Sequence, residues 1–268
     1  MAKRAIVAIG DSISYSLGGG GLVANQFYPA RLQAAFAALG ITDVIARNFG
    51  VSGNTTAQMI ARMACLNQYE TPYIGVIEGG INDGANGSSV SGSGATTTSI
   101  PVQAGHGARF TVGGYVVING QSRLVTAIST DTLTVSPALS AAPTDATAVA
   151  HDTAANIVVL GQYLLAAGCS RLIVLGCHYM NWSSGGDNGA SQNATYAAIR
   201  TAQAAAAATL GATYVDAYNY MRALIADGTY TQGDYRWHIA DSNVHLNAAG
   251  EQILSDAIMA AMPSAWKA

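Results

Sequence analysis

The chain carries, near its two ends, side chains of the types that nucleophilic catalysis uses. Gly10-Asp11-Ser12 follows the first apolar run, and His245 stands near the other end, four positions after Asp241. A serine hydroxyl becomes an effective nucleophile when a histidine takes its proton and an acid orients that histidine. The three residue types therefore indicate acyl transfer through a serine, although Asp11 or Ser12 could instead cap a following helix.

Two further polar turns offer hydrogen-bond donors for the negative charge that develops in acyl transfer. The segment NFGVSGNTT contains Gly53, whose backbone N–H could point into a crevice because glycine permits tight turns. The segment GGINDG contains Asn82, whose side-chain amide could donate to an oxyanion. Both segments are also typical of ordinary turns, so neither establishes a site alone.

Short apolar runs alternate with helical patterns on both sides of a different middle region. This alternation indicates a mostly parallel sheet that is covered by helices on both faces. The carboxyl ends of parallel strands face the ligand crevice, so the turns with Ser12, Gly53 and Asn82 converge on one edge. The expected strands are Ala5–Gly10, Val44–Phe49, Tyr73–Glu78, Arg171–Cys177 and Thr213–Asp216, and the expected helices are Pro29–Leu39, Ala57–Leu66, Thr153–Ala167, Asn193–Leu210 and Asn247–Met262.

The middle region, about residues 85–150, has the pattern of a small antiparallel β module. The segment YVVINGQSRLVTAI predicts a hairpin that turns at Asn119–Gly120. The stretch Gly84–Gly107 before it is rich in Gly, Ser and Thr, which indicates a flexible connection. We therefore expect an α/β domain of residues 1–84 and 151–268, with the module inserted at 85–150.

Composition argues against several classes of protein. The formal net charge is −3 and Lys and Arg do not cluster, so binding of nucleic acid through its phosphates is not expected. No apolar stretch reaches the roughly 18 residues of a membrane span. The apolar run Ala5–Ile9 is shorter than the core of a signal peptide, which leaves the location open between cytoplasm and phage virion.

The cysteines and the common catalytic motifs give no competing site. Cys65, Cys169 and Cys177 form neither a disulfide framework nor a metal-binding pair. Cys177 lies next to His178, but a cysteine in an apolar strand is usually an inert core residue. The chain also has no GxSxG, HExxH or P-loop motif.

Taken in order, four sequence blocks resemble the motifs of the SGNH (GDSL-type) hydrolases. They are Gly10-Asp11-Ser12-Ile13, Ser52-Gly53-Asn54-Thr55, Gly80-Ile81-Asn82-Asp83 and the segment from Asp241 to Asn247. The resemblance implies a three-layer α/β/α sandwich with about five parallel strands in flavodoxin-like order. It implies that Ser12 is the nucleophile and His245 the base. It also implies that Ser12, Gly53 and Asn82 form the oxyanion hole, and that no metal or organic cofactor is needed.

The chain departs from the family pattern at two positions. Ile13 replaces the usual leucine, which concerns packing alone. The family usually places its acid three residues before the histidine, where this chain has Ser242. We assign Asp241 as the acid that orients His245, because one extra residue can bulge out of a loop; the alternative is orientation by a backbone carbonyl.

Aromatic side chains near the motif turns bear on the substrate. Tyr15, Tyr179, Trp182 and Trp237, with Tyr235, could stack on sugar faces or merely pack loops. The module resembles, in texture, repeats of phage tail and other carbohydrate-facing proteins, and it could hold a polymer or mediate self-association. We therefore expect removal of small acyl groups, such as acetyl, from a glycan. The alternatives are a general short-chain carboxylesterase or lysophospholipase, and an inactive glycan-binding or structural protein.

Overall fold

The computed structural model describes residues 4–15, 22–64, 72–179, 193–194, 196–230 and 244–267. Its main sheet has five strands: β1 (Arg4–Gly10), β2 (Val44–Gly50), β3 (Pro72–Glu78), β10 (Leu172–Leu175) and β11 (Thr213–Val215). Their order in the sheet is β11-β10-β3-β1-β2, and every neighbouring pair is parallel. This is the flavodoxin-like order that we predicted, so the fold class is confirmed.

Helices cover both faces of this sheet. They are α1 (Tyr28–Ala38), α2 (Thr56–Ala61), α3 (Ile81–Ala85), α4 (Thr153–Ala166), α5 (Ala197–Leu210), α6 (Ala217–Ala226) and α7 (Ala248–Ala261). Side chains alternate along β1 because successive residues of a strand point to opposite faces. Ile6 and Ala8 belong to the apolar core beside α1 and α7, whereas Val7 and Ile9 belong to the core beside α2 and α4.

The predicted helices and strands are present, with shifted ends and one omission. Helix α2 ends at Ala61, earlier than predicted, and β10 is shorter than predicted at both ends. Helix α6 was missed, although the Asp216 carboxylate accepts the Asn219 N–H at 3.0 Å and so caps the first turn. Among the described residues, no helix is long and apolar enough to cross a bilayer.

A second sheet, from residue 88 to residue 151, is antiparallel and has its own apolar core. Its order is β4-β9-β6-β7-β8-β5, with β4 (Ser88–Ser89), β5 (Ser99–Pro101), β6 (Tyr115–Ile118), β7 (Gln121–Ser129), β8 (Thr132–Ser136) and β9 (Ala148–His151). The predicted hairpin is confirmed: Ile118 pairs with Gln121, and Asn119 and Gly120 have φ of 51° and 71°. Both turn residues are left-handed, as a two-residue type I′ turn requires.

The prediction of a flexible connection at Gly84–Gly107 is wrong. This stretch contributes β4 and β5 to the second sheet, and Val90 forms a bridge with Val102. Val90, Ile100 and Val102 are each at most 3% exposed, in the core of that sheet. A few well-spaced apolar residues are therefore enough to fold a segment that is rich in Gly, Ser and Thr.

Three contacts fix the second sheet to the main fold. The Tyr115 N–H donates to Asn156 Oδ1 at 2.7 Å, and the Tyr115 carbonyl accepts from the Asp152 N–H at 2.9 Å. Asn156 is fully buried on α4, so its amide holds the strand from inside the protein. At Gly114, a Cβ atom would lie 2.5 Å from the Ala57 side chain. The second sheet therefore packs closely on α2, just after the turn that contains Gly53.

Candidate active site

The turn that contains Ser12 follows β1 directly and is tightly packed. A Cβ atom on Gly10 would lie 2.1 Å from Ser14 Oγ and 2.5 Å from Glu78 Oε2, so only glycine fits there. The Asp11 carboxylate accepts the Ile13 N–H at 3.0 Å, and the Asp11 carbonyl accepts the Tyr15 N–H at 3.0 Å. These bonds close a tight turn around Ser12, which is partly exposed at the carboxyl edge of the sheet.

Asn82 connects the three polar turns that the sequence singled out. Its Nδ2 donates to Asp11 Oδ2 at 3.2 Å and to the Asn54 carbonyl at 3.1 Å. Asp11 precedes Ser12, and Asn54 follows Gly53, which is exposed and has φ of 78°. The structure therefore joins the turns of Ser12 and Gly53 through the Asn82 amide.

The neighbouring Asp83 anchors the Asn82 turn from below. Its carboxylate accepts the Thr56 N–H at 2.8 Å, the Thr56 hydroxyl at 2.6 Å and the Thr153 hydroxyl at 2.7 Å. Thr56 and Thr153 begin α2 and α4, and an anion is favourable at a helix N-terminus. One buried carboxylate thus fixes the position of Asn82 relative to two helices.

Arg62 is a site residue that sequence analysis missed. Its guanidinium donates to the Phe49 carbonyl at 2.5 Å, the Gly10 carbonyl at 2.8 Å and Asn54 Oδ1 at 2.8 Å. One cation thereby holds the ends of β1 and β2 and the turn after Gly53. The available signal was an arginine within the helix predicted after the Gly53 turn, in a chain with only 10% charged residues.

Burial sets the electrostatics of the nucleophile turn. Asp11 is 1% exposed, and burial raises the pKa of its carboxyl group to about 6, while the Ile13 N–H and the charge of Arg62 oppose the rise. Burial also raises the pKa of Glu78 well above its usual value, and the nearby charge of Asp11 raises it further. Two buried carboxyl groups therefore hydrogen-bond the residues on either side of Ser12.

His245 lies just before α7, at the same edge of the sheet. The Asn247 side chain accepts the Gly250 N–H at 3.0 Å and caps α7, as predicted. The ring of His178, which is buried after β10, donates from Nε2 to the Val244 carbonyl at 2.9 Å. This contact ties the backbone beside His245 to the end of a central strand; sequence analysis weighed His178 only as a partner for Cys177.

The remaining predicted residues differ in their placement. Tyr15 is partly exposed directly after the Ser12 turn. Tyr179 is only 7% exposed and packs against Tyr218 with ring centroids 5.6 Å apart, which favours a packing role over the predicted substrate contact. Burial raises the pKa of the Cys177 thiol, consistent with an inert cysteine. Asp241, Trp182, Tyr235 and Trp237 lie outside the described residues.

Known proteins resemble this chain in sequence and in fold. Esterase TesA of Pseudomonas aeruginosa is 40% identical over 86 residues, which are 32% of this chain and 41% of that esterase. A crystal structure of TesA superposes with a TM-score of 0.55 and 20% identity, covering 97% of this chain and 99% of that one. Axe2, an acetylxylan esterase from Geobacillus stearothermophilus, gives 0.55 and 16% identity, covering 97% and 94%.

The chain also matches a family model along most of its length. Residues 8–253 match the GDSL-like lipase/acylhydrolase family, and the match contains Ser12, Gly53, Asn82 and His245. The fold and the positions of the four blocks agree with this match. The chain therefore belongs to the GDSL-like lipase/acylhydrolase family.

Proposed function

We propose that this chain is a serine esterase that removes small acyl groups, such as acetyl, from a carbohydrate. The observation that carries the proposal is the position of Asn82, whose amide contacts both Asp11 beside Ser12 and Asn54 beside Gly53. An oxyanion hole needs donors of this kind around the nucleophile, held in place before the reaction. A turn with only a structural role would not need three polar segments joined at one amide.

In the proposed reaction, His245 removes the proton of Ser12 as its Oγ attacks the ester carbonyl carbon. The Ser12 and Gly53 N–H groups and the Asn82 amide then stabilise the oxyanion of the tetrahedral intermediate. His245 gives the proton to the leaving alcohol as the ester C–O bond breaks. Water activated by His245 then cleaves the acyl-enzyme and returns Ser12 to its starting state. Asp241 orients His245 in this scheme.

The two groups that accept hydrogen bonds from the Asn82 amide indicate how its N–H groups are oriented before the reaction. Its Nδ2 is directed at the Asp11 carboxylate and at the neutral Asn54 carbonyl. A hydrogen bond to an ionised acceptor is roughly twice as strong as one between neutral groups. An oxyanion at Ser12 therefore competes well with the Asn54 carbonyl, whereas Asp11 continues to hold the amide in its orientation.

Two observations support a small acyl group on a carbohydrate. The second sheet packs on α2 beside the Gly53 turn, where it can contact a large substrate. Among solved structures of similar fold, Axe2 and AlAXEase are acetylxylan esterases, at 16% identity to this chain. We propose the same substrate class here, with Tyr15, Trp182 and Trp237 as candidate contacts to sugar.

The test compares the wild type with Ser12→Ala on p-nitrophenyl acetate, butyrate and octanoate, and on acetylated xylan. We expect turnover to fall with acyl length, acetate to be released from xylan, and Ser12→Ala to lose several orders of magnitude in kcat. A serine-directed phosphonate should label Ser12 in the wild type. Full turnover by pure, folded Ser12→Ala would refute the mechanism, and a preference for octanoate would favour a lipase-like substrate instead.

A further inference from the structure

Glu78 is a buried carboxyl group for which the proposed reaction has no use. It is the last residue of β3, and it is 5% exposed. Its Oε2 accepts the Asp11 N–H at 3.1 Å and the Ser14 hydroxyl at 3.1 Å. Asp11 and Ser14 stand on either side of Ser12 in the sequence, so this one oxygen holds the nucleophile turn at two points.

The packing around Glu78 leaves the turn little freedom to move. The Ser14 hydroxyl also hydrogen-bonds the Tyr28 hydroxyl at 2.8 Å, and Tyr28 is fully buried at the start of α1. A Cβ atom on Gly10 would overlap both Ser14 Oγ and Glu78 Oε2. A series of hydrogen bonds therefore connects Tyr28 on α1, through Ser14, to Glu78 on β3.

The surroundings of Glu78 disfavour its ionised form. The charge of Asp11 acts on it from the turn, and Asp83 lies near Asp11. Tyr28 on α1 and Cys177 after β10 also face Glu78, but burial raises the pKa of both groups and keeps them neutral. A cation, Arg62, acts on Asp11 and donates to the backbone carbonyls of Gly10 and Phe49. Burial and the charge of Asp11 both raise the pKa of Glu78, so Asp11 ionises first and Glu78 retains its proton.

We propose that Glu78 is a positioning residue that acts as a neutral carboxylic acid and fixes the turn on both sides of Ser12. Its carbonyl oxygen accepts the Asp11 N–H and the Ser14 hydroxyl, and its acidic proton is directed to the Asp11 carboxylate. The inference rests on the proposed role of Ser12. It adds that the nucleophile is held from β3 by an uncharged group.

A neutral acid and a glutamine offer the same hydrogen-bonding groups in this place. Each has a carbonyl oxygen that accepts and a second terminal atom that donates, the O–H of the acid once and the NH2 of glutamine up to twice. Glu78→Gln therefore preserves every bond of the proposal, whereas Glu78→Ala removes the acceptor and leaves the Asp11 N–H without its partner. A displacement of about 1 Å at a nucleophile can cost on the order of 100-fold in rate.

The experiment measures kcat and KM on p-nitrophenyl acetate, per folded molecule, for Glu78→Gln, Glu78→Ala and Ser14→Ala. The matched control is Glu251→Ala, which removes another buried glutamate, 1% exposed, whose Oε2 accepts the Tyr28 N–H at 2.8 Å. We expect Glu78→Ala to lower kcat roughly 10- to 100-fold with KM within about two-fold. Glu78→Gln should stay within about five-fold of the wild type with an unchanged pH–rate profile, and Ser14→Ala should lose a few-fold in kcat. Glu251→Ala should lose stability but keep its kcat.

The possible outcomes separate this inference from the proposed function. Wild-type kcat in folded Glu78→Ala overturns the inference, and so does a Glu78→Gln variant as impaired as Glu78→Ala. If Glu78→Ala does not fold, Ser14→Ala decides the matter. A wild-type kcat in Ser14→Ala then overturns the inference, whereas a reduced kcat in Ser14→Ala together with an active Glu78→Gln supports the inference. If the wild type has no turnover that depends on Ser12, the proposed function fails first and the inference with it.

Discussion

Replacing Asn82 tests the hydrogen-bond network at the carboxyl edge most directly. Asn82→Ala removes the amide that contacts Asp11 Oδ2 at 3.2 Å and the Asn54 carbonyl at 3.1 Å. Loss of one oxyanion donor typically costs about 100- to 1,000-fold in kcat, or roughly 3–4 kcal/mol of barrier. We expect a loss of this size with little change in KM, because the interaction strengthens only in the transition state.

Asn82→Asp keeps the shape of the side chain but replaces its donor with an acceptor. A carboxylate oxygen would then lie about 3.2 Å from Asp11 Oδ2, which is buried. At an effective dielectric of about 20, two unit charges at that separation repel by roughly 5 kcal/mol, or about four pKa units. The pair therefore retains a proton at neutral pH, and the pKa of one carboxyl group is raised.

The raised pKa predicts the sign of a pH effect on stability. A carboxyl group with a raised pKa binds a proton in the folded state that the unfolded state has already released, so stability is lost as pH rises. The stability of Asn82→Asp should fall more steeply than that of the wild type between pH 5 and pH 9, and Asn82→Ala should follow the wild type. Urea denaturation at several pH values measures this difference.

Turnover of p-nitrophenyl acetate, normalised to folded protein, measures the catalytic effect. Asn82→Asp should be at least as inactive as Asn82→Ala, because an added acceptor repels the oxyanion. The control is Asn86→Ala, which removes a nearby amide that donates to the Asn82 carbonyl at 2.7 Å and should change kcat by no more than a few-fold. An Asn82→Asp enzyme with more than a tenth of the wild-type kcat would refute the oxyanion role.

Three further perturbations have defined outcomes. Asp241→Asn should lower kcat by on the order of 100- to 10,000-fold at unchanged urea midpoint, and full activity would assign the orientation of His245 to another group. Replacing residues 85–150 with a short Gly/Ser linker should leave p-nitrophenyl acetate turnover unchanged. The same variant should release less acetate from xylan or show a changed mass in light scattering. If the folded variant has no small-ester turnover, the second sheet is part of the site. Burial raises the pKa of Glu251 to about 8, so the free energy of unfolding of the wild type should fall by up to roughly 5 kcal/mol as pH rises from 4.5 through 8. In urea denaturation, Glu251→Gln should show a weaker dependence of stability on pH.

The main sheet could be predicted from the sequence because its signals are local. Apolar runs such as Ala5–Ile9 end at polar turns, and the Asn247 cap begins α7 as expected. Helix α6 was missed because its short amphipathic pattern follows an edge strand of only three residues, β11. In the second sheet, β5 was not predicted because it lies in a Ser- and Thr-rich stretch and contributes only an isolated apolar residue to the core.

The residues of the candidate site could be predicted, but their contacts could not. The ordered blocks pointed to Ser12 and Asn82, whereas the bond from Asn82 to Asp11 spans 71 positions and depends on strand order. Glu78 looks like the polar end of an apolar strand until β3 is placed beside β1. Arg62 likewise gains its role only when three separate backbone segments meet around its guanidinium.

The bond between Thr153 and Asp83 has a consequence for how this protein can be re-engineered. The two side chains hydrogen-bond at 2.7 Å although they lie 70 positions apart in the sequence, so the second sheet leaves and rejoins the α/β fold at one place. A segment with both ends at one point can be exchanged for another without stretching the strands and helices on either side. This junction at Asp83 lies one residue from Asn82, so an exchanged segment would lie next to the candidate active site. We therefore expect that segments exchanged at this position change the contacts available to a substrate and leave the α/β fold unchanged.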